Sequence, residues 1–168
     1  NTDPYQPIER SHRITRRILE VLSEFGHPVG IVTKSALVTR DIDILKPMAE
    51  RGLVKVAPSI TTLAPKLSRA MEPRAATPAR RLMALEMLAA AGIPAVAMVA
   101  PIIPGVNDSE IEAILKSASV AGVREAGYVL LRLPLEVRDI FKEWLQTEMP
   151  DRAAVAVADV LDVGDRRV

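Results

Sequence analysis

The chain has 168 residues, 49% of them hydrophobic and 26% charged, with a formal net charge of +1, which is the size and make-up of one globular domain. It contains no cysteine and two histidines, His12 and His27, so disulfides, thiol nucleophiles, cysteine-ligated iron–sulfur centres and a histidine metal cluster are excluded for this chain. The balanced charge sets no strong field toward nucleic acid, and no apolar run approaches the ~20 residues that span a bilayer, so a cytoplasmic protein without a membrane partner is the expectation.

In chain order, residues 1–8 form a proline-containing turn segment. Apolar positions Ile14, Ile18, Leu19, Leu22 and Phe25, with Val21 alongside, then predict one amphipathic helix that stops at Gly26. Arg10, Arg13, Arg16 and Arg17 are expected on its wet face. The apolar run Gly30-Ile31-Val32 follows as a strand, ending abruptly at Thr33-Lys34-Ser35. Asp41 is placed to cap a second helix carrying Ile44, Leu45 and Met48 and ending at Gly52, with Pro47 admissible in its first turn or at a break. A second strand spans Leu53 to Ile60. One helical turn is expected around Pro65, and Thr77-Pro78 reads as a cap with proline in the first helical position. The helix after it bears Leu82, Leu85, Met87 and Leu88 and closes at Gly92.

Ile93 to Ile103 is the third predicted strand, and Pro104-Gly105-Val106-Asn107-Asp108 is a turn. Asp108 or Ser109 caps the next helix, which ends at Gly122. The fourth strand runs from about Ala126 to Leu133, and the last helix carries Val137, Ile140, Phe141, Trp144 and Leu145. Met71, Met83, Met87 and Met98 are expected as core filler. The alanine- and valine-rich stretch within residues 151–168 is ambiguous between helix and strand.

Strict alternation of helices with apolar strands implies a parallel α/β sheet with right-handed crossovers. Four strands are too few for an eight-stranded barrel, so a partial β/α barrel over residues 1–150, followed by a tail over 151–168, is the expected architecture. All strand carboxyl ends then lie on one rim, where Thr2, Asp3, Thr33, Lys34, Ser59, Thr61, Thr62, Ala100 and Pro101 converge. A lysine there can hold a carboxylate or phosphate, act as a Schiff-base amine when desolvated, or be an ordinary solvated side chain. Glu72-Pro73-Arg74 either presents a carboxylate and a guanidinium to a pocket mouth or fixes a loop. No glycine-rich phosphate loop or serine nucleophile elbow is present.

Taken together, Asn1-Thr2-Asp3-Pro4-Tyr5-Gln6-Pro7, Ile31-Val32-Thr33-Lys34-Ser35, Ser59-Ile60-Thr61, Met71-Glu72-Pro73-Arg74 and Val99-Ala100-Pro101-Ile102-Ile103-Pro104-Gly105-Val106-Asn107-Asp108 resemble the radical S-adenosylmethionine superfamily, in its branch similar to spore photoproduct lyase. The resemblance implies a partial barrel of six strands, of which this chain supplies about four. It further implies a [4Fe–4S] cluster on a three-cysteine motif, which cleaves S-adenosylmethionine to a 5′-deoxyadenosyl radical. By the same resemblance Thr2 contacts the methionine end of the cofactor, Lys34 its carboxylate, Ser59 the ribose or amino-acid portion, and Ala100 the adenine. Asp3 and Tyr5 match the motif without an implied role. Lacking cysteine, the chain binds no cluster and is expected to be the cysteine-free portion of a longer enzyme. Its substrate is related to nucleic acid only by analogy with that branch, and its uncovered barrel edge favours self-association. A Schiff-base lyase using Lys34 and a non-catalytic half-barrel binding module are the alternatives.

Overall fold

Each of four apolar runs returns to the same direction through a helix, and a computed structural model describing residues 2–153 and 156 shows the result. The strands are Val29–Thr33 (β1), Val54–Pro58 (β2), Val96–Ile102 (β3) and Glu125–Leu130 (β4). The helices are Glu9–His12 (α1), Ile14–Glu24 (α2), Ile42–Glu50 (α3), Pro65–Met71 (α4), Pro78–Ala90 (α5), Ile111–Val120 (α6) and Leu135–Glu148 (α7). β1 pairs with β2 and β3 with β4, both in parallel, with Thr33 opposite Pro58 and Met98 opposite Gly127. These two small sheets are joined by single parallel bridges, Val56 to Ala95 and Ser59 to Met98, so the strands run side by side in chain order. No barrel closes among the described residues. The alternating α/β expectation and the parallel strands hold in this form.

The helices closed in sequence by Gly26, Gly52, Gly92 and Gly122 do end there, at φ values of 62°, 69°, 76° and 88°. A left-handed residue lets the chain leave the helix and enter the next strand within a few residues. Leu45, Met48 and Val56 anchor one buried cluster beneath β1 and β2. Ile60, Leu85, Ala97 and Ile114 form a second around β3, and Ile103, Val106 and Leu145 a third beside α7.

Several local expectations are corrected. The single helix before β1 is two, because Arg13 adopts a left-handed φ of 50°. The break is supported by Glu9, a buried carboxylate that accepts from the backbone N–H of Thr15 at 3.0 Å and Arg16 at 3.4 Å, satisfying donors at the start of α2. The apolar face of α2 buries Leu19, while Ile14, Ile18, Val21 and Phe25 stay exposed. Arg16 does not coat a wet face, since it pairs with Asp41, Asp43 and Glu20.

Asp41 makes no cap; a 3-10 segment, Ala36–Asp41, precedes α3 and is capped by Ser35, whose side chain accepts from Leu37 N–H. Pro47 lies inside α3, past its first turn, and the helix continues through it. Met83 and Met87 are exposed rather than core filler. Thr77 and the Asp108–Glu110 turn occupy helix starts without side-chain caps. β2 is buried apart from Lys55, whereas β4 is exposed over nearly its whole length, because among the described residues no further strand pairs with its free edge. The expectation for residues 151–168 lies almost wholly outside the described residues.

Candidate functional site

The β1–β2 register puts Lys34 and Ser59, the residues just after Thr33 and Pro58, side by side at one rim. Ser59 N–H donates to the Thr33 carbonyl at 2.8 Å, locking the two strand ends together. Asp3 then ties the N-terminal turn to the same place. Its Oδ1 accepts from the Thr33 hydroxyl at 2.7 Å and Tyr5 N–H at 2.8 Å, and its Oδ2 accepts from Lys34 N–H at 2.7 Å. Thr2, which precedes Asp3 in the chain, is exposed and makes no side-chain hydrogen bond among the described residues.

Glu72, delivered by the end of α4, is the hub of the rim. Lys34 Nζ donates to its Oε1 at 2.5 Å, and Arg81 Nη2 pairs with its Oε2. The Thr61 hydroxyl lies 2.9 Å from Glu72 Oε1 and 3.3 Å from the Ala100 carbonyl; having one proton, it donates to the nearer, charged acceptor. Burial pushes the Glu72 carboxyl up, but the hydrogen bond and charge of Lys34 together with those of Arg81 outweigh it, and the group titrates below its ordinary 4.5. Arg81 is only 2% exposed and also donates to the carbonyls of Ala76 at 2.7 Å and Ser59 at 3.1 Å. Two cations thus face the Glu72 carboxylate, Asp3 is the second acid of the rim, and Lys34 is the more exposed of the two cations, its side chain 38% exposed against 2% for Arg81.

Of the expected rim residues, Asp3, Lys34, Ser59, Thr61 and Ala100 form one hydrogen-bonded neighbourhood with Glu72. The side chain of Ser59 is buried, and its hydroxyl has no partner among the described residues. Thr62 turns away to Glu110, its hydroxyl donating at 2.5 Å. Arg74 makes no ion pair among the described residues, so the Glu72-Pro73-Arg74 segment splits its duties. Tyr5 faces inward: its hydroxyl donates at 3.0 Å to Asp41, a fully buried carboxylate also held by Arg16 and Arg40. Burial first, and then the Asp41 charge, push the Tyr5 hydroxyl far above its ordinary 10.0, so it stays a donor.

Sequence reasoning missed Arg81 and Asn107. Asn107 is buried and braces the rim, accepting from Ile103 N–H at 2.7 Å and donating to the carbonyls of Thr61 at 2.8 Å and Pro101 at 2.9 Å. A basic pair, Arg80-Arg81, in the first turn of α5 was the available signal, because a helix start disfavours cations unless an acid meets them.

Two cavities flank Lys34. One, of about 390 Å³, is apolar, with Pro101, Ile103, Leu131 and the stacked Phe141–Trp144 pair in its wall. The other, of about 470 Å³, opens between the N-terminal turn and the Arg74–Ala76 loop.

A rim of polar groups at the carboxyl ends of parallel strands, with a cation beside an apolar cavity, is where α/β folds place their ligand sites. The Radical SAM superfamily model matches residues 2–118, and the chain belongs to that superfamily. An uncharacterized protein of Mycobacterium tuberculosis is 33% identical over 153 residues, covering 90% of this chain and 45% of that protein. An uncharacterized protein of Methanocaldococcus jannaschii is 34% identical over 109 residues, 65% of this chain and 40% of its own length. One from Acidianus two-tailed virus is 35% identical over 126 residues, 72% and 40% respectively. The chain therefore spans less than half the length of these relatives. No solved structure gives a significant match.

The family uses S-adenosylmethionine and a [4Fe–4S] cluster. The cluster does not fit this chain, which has no cysteine and, among the described residues, no grouping of three or more acidic or histidine side chains that could hold a metal. At the rim the partly exposed Lys34 ammonium is the charge type that an amino-acid carboxylate would meet. No described helix is long and apolar enough to cross a membrane.

Proposed function

We propose that the Thr2–Lys34–Ser59–Ala100 rim is the S-adenosylmethionine cradle of a radical enzyme whose cluster ligands lie outside this chain. The observation that carries this reading is the Glu72 hub: a carboxylate shared by Lys34 and Arg81 holds a partly exposed ammonium at the rim. Lys34 would take the cofactor carboxylate, Ser59 its ribose or amino-acid portion, Thr2 the methionine end, and Ala100 the adenine by backbone and apolar contact. When bound beside a reduced cluster, the cofactor supplies a 5′-deoxyadenosyl radical. The residues of this chain bind and orient it.

The motif order supports a reading in the branch similar to spore photoproduct lyase, and the substrate reading by that analogy is a nucleic-acid base. The absence of cysteine, with coverage of 45% of the mycobacterial relative, supports the reading of a cysteine-free portion of a longer enzyme. The Schiff-base alternative is disfavoured by the 2.5 Å contact to Glu72, which engages the Lys34 nitrogen as a donor rather than leaving a free amine.

Calorimetric titration of the chain with S-adenosylmethionine tests the cradle. Lys34→Ala is expected to weaken binding by about 1.5 to 3 kcal/mol, the scale of a charge-assisted hydrogen bond. Equal affinity in the variant would remove the assignment. A Cys-x3-Cys-x2-Cys segment in the polypeptide that completes this chain is the expected companion, and its absence would remove the enzyme reading.

A further inference from the structure

The 470 Å³ cavity on the far side of Lys34 is walled by Arg10 of α1, by Arg74 in the loop after α4 and by Arg80 in the first turn of α5. These guanidiniums are exposed and make no salt bridge or side-chain hydrogen bond among the described residues. Arg16, Arg40 and Arg81, by contrast, all hold carboxylates. Asp3 is the sole acid in the wall, one negative charge against three guanidiniums, and its oxygens accept from the Thr33 hydroxyl and the N–H groups of Tyr5 and Lys34 and pair with none of the three arginines. Arg80 moreover stands at a helix start that has no acidic residue in its first turn, where the peptide dipoles oppose a cation. In a chain of net charge +1, three guanidiniums without an ion-pair partner against one carboxylate leave the cleft with a local excess of positive charge.

We infer that this cleft binds a phosphate-bearing anion. Planar guanidinium forks suit the paired oxygens of a phosphoryl or phosphodiester group, and arginines arriving from separate elements can share one multiply charged ligand. The inference rests on the charge of the cleft and stands whether or not S-adenosylmethionine binds the rim. Small-molecule phosphate and the backbone of a nucleic-acid strand offer the same chemistry, so the test carries both.

The 168-residue chain is titrated with inorganic pyrophosphate and, separately, with a short single-stranded oligothymidylate, at two salt concentrations. Arg74→Ala and Arg80→Ala are each expected to weaken binding roughly tenfold, and the double variant is expected to lose most of the salt dependence. Arg124→Ala, an equal charge change before β4 at the opposite rim, is expected to leave binding unchanged. Pyrophosphate binding with this pattern identifies a small phosphate ligand; oligothymidylate binding alone with the same pattern identifies a strand. Failure of both probes to bind, or an equal loss in Arg124→Ala, overturns the inference. A loss in the arginine variants with S-adenosylmethionine affinity intact separates this cleft from the cradle.

Discussion

Replacing Glu72 by glutamine removes one negative charge from the hub with little change in volume. The Glu72 side chain is 9% exposed and Arg81 is 2% exposed, so the charge left behind on Arg81 has no water to turn to. Its remaining partners are the Ala76 and Ser59 carbonyls, which carry only partial charge. Breaking a buried pair from one side in this way costs about 3 to 5 kcal/mol. Lys34 adds little to that figure, because its ammonium can rotate into solvent. In a domain of this length the loss corresponds to a melting temperature lower by roughly 6 to 20 °C. Urea denaturation and thermal melts at pH 7 read it directly. Adding Arg81→Met to Glu72→Gln removes the stranded cation and is expected to restore much of the loss. A single variant within about 1 kcal/mol of wild type, or a double variant no better than the single, would refute the reasoning.

Tyr5→Phe deletes the donor to Asp41 and is expected to cost about 1 to 2 kcal/mol in urea melts, since Arg16 and Arg40 still hold that carboxylate. Asn107→Ala strands the Ile103 N–H and the carbonyls of Thr61 and Pro101; a loss of about 3 kcal/mol is expected, with weaker S-adenosylmethionine binding because Thr61 is no longer braced. Glu72, Glu9 and Asp43 all titrate below their ordinary values of 4.5, 4.5 and 3.8. A carboxyl depressed in the folded state stabilises the fold above its unfolded pKa and loses that contribution as pH falls through the folded one. Unfolding free energy from urea titrations should therefore stay level from pH 7 to about 5 and drop below about 4.5, and Glu72→Gln should flatten that drop.

The alternation of elements was legible because it is written in local signals: apolar runs cut off by Lys34 or a proline, and glycines placed where α2, α3, α5 and α6 turn left-handed. Lys34, Ser59 and Ala100 could be placed on one rim from that pattern alone, since parallel strands have all their carboxyl ends on one side. What occupies the rim was not legible. Glu72 reaches Lys34 through the end of α4 and Arg81 through α5, so the hub depends on how two helices fold back over β2. Asp41 shows the same limit from the other direction. Its position before α3 is that of a cap, yet the 3-10 segment ahead of it leaves its carboxylate to Tyr5, Arg16 and Arg40. The periodicity of α2 marked Ile14, Ile18, Leu19, Leu22 and Phe25, with Val21 alongside, as apolar positions, yet Leu19 is buried while Ile14, Ile18, Val21 and Phe25 are exposed, because periodicity says only that a face is apolar, not what packs against it.

The two arginines that open α5 show how one local irregularity serves separate ends. A cation in a first helical turn is disfavoured by the helix dipole, and Arg81 offsets that by turning inward onto Glu72. That pairing fixes Glu72, and Glu72 in turn fixes the Lys34 side chain, so the position of the rim ammonium is set by a residue that never reaches the rim surface. Arg80, one residue earlier, lines the other cavity and makes no ion pair among the described residues. If Arg81 is a positioning residue for Lys34, Arg81→Lys should weaken S-adenosylmethionine binding more than it weakens stability, because a lysine can neutralise Glu72 but cannot span Glu72, Ala76 and Ser59 at once. Binding and stability falling in step would show instead that Arg81 acts only through the fold.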